Sequence, residues 1–221
     1  MADFQQVRKN MVNGQISING VIIPEILEAF ENTPRELFVP EKYKNLACND
    51  EDIPLGRGRF ILEPSVHAKM IQALEPKADD VVLEIGGGTG YGAAILSSLV
   101  STVVVTESEP ECIAKAQKLW DSLGLCNIAV FEGPLAKGNP EHSPYDSIII
   151  KGAVSSVPEQ ILEQLNEGGQ LICVIKAAEK NTGQVTLFKK LSGERQYSSY
   201  PLFDAATPYL QGFEPKETFH F

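Results

Sequence analysis

Residues 82–93 read VLEIGGGTGYGA, and this stretch constrains the fold more than any other. The run DVVLEI, rich in β-branched residues, reads as a buried parallel strand. It delivers Gly86, Gly88 and Gly90 to a tight turn, and YGAAILSSLV then reads as a helix. Glycines at such a turn reach left-handed backbone geometry and let a ligand approach the start of the helix. A strand, a glycine turn and a helix in that order specify a βαβ unit with a right-handed crossover.

The chain after residue 80 repeats the unit. TVVVTE, NIAVFEG, YDSIIIKGAV and QLICVIKA read as strands. PECIAKAQKLWDSLG reads as a helix stopped at Gly124, and PEQILEQLNEGG as a helix running to Gly168-Gly169. QVTLFKKL and SSYPLF look like further strands. Strands alternating with helices at this spacing predict a doubly wound, Rossmann-like α/β fold. Residues 1–75 have a different pattern. IIPEILEAFENTP and EPSVHAKMIQALEP are helical, each with a proline near its start and another at its end. The expected organisation is an N-terminal helical lobe with an active-site loop over 1–75 and a Rossmann-like core over 76–221, together one compact unit.

Charge narrows the function. The formal net charge is -10 with a pI near 4.8, so the chain repels phosphate backbones and no nucleic-acid partner is expected. The start, MADFQQVRKN, is polar, and AAILSSLVSTVVV is too short to span a bilayer. A cytoplasmic protein with no membrane partner is expected. Cys48, Cys112, Cys126 and Cys173 have neither CxxC nor metal spacing and read as reduced thiols, so no metal is expected. Nothing in the sequence fixes the oligomeric state.

The acids around the turn describe a ligand. Glu107 ends the second strand, where a carboxylate in this fold accepts hydrogen bonds from ribose hydroxyls. The dinucleotide spacing GxGxxG fails from Gly86, because residue 91 is Tyr91, and passes from Gly88 only in the relaxed form ending in Ala93. Glu84 inside the strand is unsuited to a pyrophosphate. It suits the positive charge of S-adenosylmethionine. A nucleoside cofactor is therefore expected, S-adenosylmethionine before a dinucleotide, against the plainer reading of a structural turn with no ligand.

Several further stretches carry a family likeness: MVNGQI, PRELFVP, IPLGRG, EPSVHAKM, VLEIGGGTGYGAAIL, PYDSIII, VPEQILEQLNEGGQLI and YPLFD. In these the chain resembles the protein-L-isoaspartate O-methyltransferase family over residues 5–204. The resemblance implies a seven-stranded methyltransferase sheet with an extra N-terminal helical lobe. It also implies methyl transfer from S-adenosylmethionine to the α-carboxylate of isoaspartyl residues in damaged proteins. The ester then collapses to a succinimide, which begins repair to aspartate. By position it implies cofactor contacts at Glu84, Gly86, Gly88, Gly90, Glu107, His67 and Ile61, and an active-site acid at Asp50.

The departures lie at the acceptor end. The family reads Thr-Ile-Ser where this chain has Phe60-Ile61-Leu62, so Leu62 stands at the family's active-site serine without its hydroxyl. The family's GDG is Gly133-Pro134-Leu135, and Phe203 replaces the threonine of PLTD. Cys48 replaces an aromatic beside Asp50. Two alternatives follow: a methyltransferase whose Phe60 and Leu62 line an apolar acceptor pocket, or a catalytically impaired relative acting as a binding or regulatory module. Plainer readings exist for His67 as a partly buried histidine, for Asp50 as part of the solvated run NDED, and for Arg57 and Arg59 as exposed turn charges. The functional reading of the two arginines is attraction of an acceptor carboxylate.

Overall fold

The computed structural model describes residues 3–191, 193 and 197–215. The N-terminal region forms α1 (Phe4–Met11), α2 (Pro24–Asn32) and α3 (Arg35–Phe38), then a hairpin of β1 (Ile53–Gly56) and β2 (Arg59–Ile61), then α4 (Pro64–Leu74). Pro24 and Pro64 sit in the first turns of their helices, where a missing N–H costs nothing. Ile26, Ala29 and Phe30 bury one face of α2. α4 is buried on most sides, because α2 and residues Val12–Ile16 cover one face and the sheet strands Leu165–Ile175 and Gly183–Lys190 the other.

The core elements are β3 (Val81–Ile85), α5 (Tyr91–Leu96), β4 (Thr102–Glu107), α6 (Pro110–Leu123), β5 (Ile128–Glu132), β6 (Tyr145–Val154), α7 (Glu159–Leu162), β7 (Leu165–Ile175), β8 (Gly183–Lys190) and β9 (Tyr197–Ala205). They build a seven-stranded sheet in the order β5-β4-β3-β6-β7-β8-β9. Every pair from β5 to β7 is parallel, and β8 runs antiparallel to both neighbours. The chain order reverses between β3 and β6, so the C-terminal ends of these strands form the crevice where ligands bind in open α/β sheets. One apolar cluster runs from Met11 through Phe60 and Leu62 to Val185 and joins lobe to sheet.

The strand and helix pattern of the sequence reappears, with one correction. The stretch PEQILEQLNEGG is not a helix to Gly168-Gly169: α7 stops at Leu162 and β7 begins at Leu165. Tyr145 of β6 pairs with Leu165, and Asn166 donates its side-chain amide to Asp146 at 2.6 Å, which pulls the chain into the sheet early. Long-range pairing outweighs local helix propensity there.

Candidate active site

The glycine turn stands where the sequence places it. Gly86, Gly88 and Gly90 all have positive φ, at 80°, 56° and 89°. Gly90 caps the N-terminus of α5, and Trp120 of α6 donates its indole N–H to the Gly90 carbonyl at 2.9 Å. Glu84 lies beneath the turn, against Gly92 in the first turn of α5. It is fully buried, and neither carboxylate oxygen has a hydrogen-bond partner of good geometry. Burial pushes it up to about 7, against the attraction of the Lys151 ammonium and the nearby Ala93 N–H.

That shift has a testable sign. Glu84 holds its proton more tightly folded than unfolded, so stability falls as pH rises from about 4.5 to about 7. Glu84→Gln is expected to match the parent at pH 5 and to exceed it by about 1–3 kcal/mol at pH 8, measured by denaturant unfolding. Equal gains at both pH values would remove the ionised carboxylate as the source.

Glu107 is 1% exposed and fully engaged. Its Oε1 accepts from Arg59 Nε at 2.8 Å, Ser108 N at 2.7 Å and Glu109 N at 3.0 Å, and its Oε2 accepts from Gly88 N at 2.8 Å. Arg59 is 2% exposed, and its Nη2 also donates to Ser108 Oγ at 2.7 Å. Arg59 is therefore not the exposed turn charge of the plainer reading. Arg57 is exposed and pairs with Glu109 at 3.4 Å and Glu111 at 2.8 Å. Both arginines are satisfied by carboxylates of this chain.

Apolar side chains cover the glycines. A Cβ built at Gly86 would lie 2.8 Å from Leu210 Cδ1, and one at Gly88 would lie 2.9 Å from Leu55 Cδ1. At Gly152 a Cβ would meet Leu210 Cβ at 2.9 Å and Phe60 Cζ at 3.1 Å. Leu210 belongs to a strap over 207–213 that returns across the strand ends after β9. It bonds to the end of β6 through Ala153 N to Pro208 O at 2.8 Å, Leu210 N to Ala153 O at 2.9 Å and Ser155 N to Phe213 O at 2.9 Å.

The remaining sequence candidates fall in different surroundings. His67 is completely buried, with its ring edge-on to Phe30 and Tyr91 and its Nε2 in contact with Lys151 Nζ. Burial holds His67 neutral and pushes Lys151 down to about 7. Ile61 and Leu62 lie in the apolar core. The Leu62 carbonyl accepts from Arg35 Nη2 at 2.8 Å, while Arg35 Nε donates to Ala47 O at 2.6 Å. The arginine of PRELFVP thus pins both ends of the loop from 47 to 62. Asp50 is exposed and accepts only a long bond, from Ser65 N at 3.4 Å. The acid more firmly built in is Asp52, which accepts from Glu63 N and from Thr207 Oγ1, each at 2.8 Å. Phe203 lies on β9 under Lys69, whose Nζ is 3.7 Å from the ring centroid; the residues over the turn are Leu210 of the strap and Leu55 of β1 instead. Sequence reasoning missed Arg59 as an internal ligand, Asp52, Lys151 and Leu210.

A family model for Protein-L-isoaspartate(D-aspartate) O-methyltransferase matches residues 6–200. The chain belongs to the protein-L-isoaspartate O-methyltransferase family. A relative from Pelobacter propionicus, Protein-L-isoaspartate O-methyltransferase 2, is 37% identical over 207 residues, covering 94% of this chain and 91% of its own. One from a Synechococcus strain is 35% identical over 205 residues, covering 90% and 84%. A solved protein-L-isoaspartate O-methyltransferase superposes with a TM-score of 0.80 at 28% identity, over 94% of this chain and 67% of that one. A Plasmodium falciparum protein titled as a putative member in complex with S-adenosyl-L-homocysteine shares the fold, with a TM-score of 0.75 at 18% identity over 96% and 99%.

Protein-L-isoaspartate O-methyltransferases use S-adenosylmethionine. The backbone here suits it: an open-angled turn, a helix start and an acid at the next strand end. In the arrangement seen, Leu210 packs toward Gly86, Leu55 packs toward Gly88, and Arg59 bonds to Glu107.

Proposed function

We propose that this chain methylates the α-carboxylate of isoaspartyl residues in damaged proteins, and that the arrangement described is its closed form. The carrying observation is the family match over residues 6–200, joined to a glycine turn and strand-end acid at the sheet's switch point. S-adenosylmethionine would supply an electrophilic methyl group on a sulfonium. A carboxylate acceptor is already nucleophilic, so the protein's tasks are orientation and exclusion of water rather than proton abstraction.

Leu62 offers no hydroxyl, and its carbonyl is occupied by Arg35, so the acceptor's oxygen must be oriented by other groups. The reading with an apolar acceptor finds no support in the loop. Phe60 and Leu62 are 8% and 0% exposed and belong to the core instead of lining a cleft.

The test is transfer of radiolabelled methyl to an isoaspartyl peptide, with the matching aspartyl peptide as control. Base-labile label on the isoaspartyl peptide alone is expected. Absence of label at high enzyme concentration would refute the assignment.

A further inference from the structure

Arg59 bridges two parts of the closed site. Its Nε holds Glu107 at 2.8 Å, and its Nη1 reaches Gln211 Oε1 of the strap at 3.3 Å. It also sits at the base of a turn whose two glycines face open space. A Cβ at Gly56 or Gly58 would have nothing within 4 Å, and Gly56, Arg57 and Gly58 all have positive φ. The same hairpin carries Leu55, which covers Gly88, and Phe60, which meets Leu210 above Gly152.

Glu107 does not depend on Arg59 to remain folded. Three backbone N–H groups, of Gly88, Ser108 and Glu109, still hold its carboxylate if the guanidinium leaves. The pair is therefore exchangeable: hydroxyl donors can replace the guanidinium on an acid that stays in place. The strap is anchored separately, by Thr207 on Asp52 at 2.8 Å and by Lys176 Nζ on the Thr207 carbonyl at 2.6 Å. For the turn to open, the middle of the strap at Leu210 and Gln211 has to lift, which breaks the Leu210 N–Ala153 O bond of 2.9 Å, while Pro208 and Phe213 keep their bonds to the end of β6.

We propose that Arg59 is a built-in competitor for the cofactor: it occupies Glu107 in the place of ribose hydroxyls and sets the affinity for the nucleoside. This rests on the methyltransferase reading above. Binding then requires Arg59 to leave Glu107 and Leu210 to leave Gly86. The closed form is favoured by a charge-paired hydrogen bond and by apolar burial, both of which the nucleoside must displace.

The test compares the parent with Arg59→Ala and Arg59→Met, using S-adenosylhomocysteine as the probe. Calorimetry reads affinity, and hydrogen exchange without nucleoside reads the strap. Both variants are expected to bind at least about tenfold more tightly than the parent, equivalent to about 1.4 kcal/mol. Arg59→Ala is also expected to speed exchange across 207–213, with a cooperative unfolding transition retained. Equal or weaker binding by both variants would overturn the proposal while leaving the cofactor reading intact. Faster exchange with no binding by any of the three proteins would overturn the cofactor reading and the competitor role with it.

Discussion

Glu107→Ala is expected to destabilise the protein by about 3–5 kcal/mol, because it strands a buried guanidinium. Arg59 is 2% exposed, and its remaining partners, Ser108 Oγ at 2.7 Å and Gln211 Oε1 at 3.3 Å, are neutral. The substitution also removes the acceptor of the Gly88, Ser108 and Glu109 amides. For a chain of this length, that loss lowers the melting temperature by roughly 6–20 °C. The reverse change is much milder. Arg59→Met leaves Glu107 with its three amides and keeps the side chain's bulk, so a loss below about 2 kcal/mol is expected. Calorimetric unfolding of the set checks this asymmetry. Equal losses for the two single variants would mean that Arg59 draws its stability from contacts other than Glu107.

Gly90→Ala is the second large effect. Gly90 has φ of 89°, where an L side chain costs about 1–2 kcal/mol. A Cβ there would lie 2.5 Å from Trp120 Cζ2, so the indole would have to move. That ring is 3% exposed and donates to the Gly90 carbonyl at 2.9 Å, so moving it breaks a buried hydrogen bond as well. A total loss of about 3–5 kcal/mol is expected. Trp120 is the only tryptophan in the sequence, so its emission reports the displacement directly. A red-shifted folded-state spectrum together with the stability loss is the expected result. An unshifted spectrum with parent-like stability would show that the turn relaxes without disturbing α6.

The features legible in the sequence are those written locally. The strand into Gly86, the cap at Gly90 and the acid ending β4 lie within one βαβ unit, where period and turn chemistry fix the geometry. The contacts that close the site are not local. Arg59 and Glu107 are 48 residues apart, and nothing in RGRFIL distinguishes a buried arginine from an exposed one. Leu210 reaches Gly86 only because the strap pairs with the end of β6, a bridge between Ala153 and Tyr209. His67 reads as partly buried because helical period places it off the main apolar stripe of α4. It is fully buried because lobe and sheet enclose that helix together. In NDED the acids are equivalent by composition, and only the packing of the strap selects Asp52, through Thr207, over Asp50. The greasy triplet after the glycines is likewise explained by position: Phe60, Ile61 and Leu62 join the core under the lobe, while the turn before them stands in open space.

The most direct measurement is a crystal structure of the protein grown with saturating S-adenosylhomocysteine. The account predicts the nucleoside lying on the glycine turn with its ribose hydroxyls on Glu107, Arg59 released from that carboxylate, and Leu210 withdrawn from Gly86. A structure with the Arg59–Glu107 pair intact and no nucleoside on the turn would contradict it.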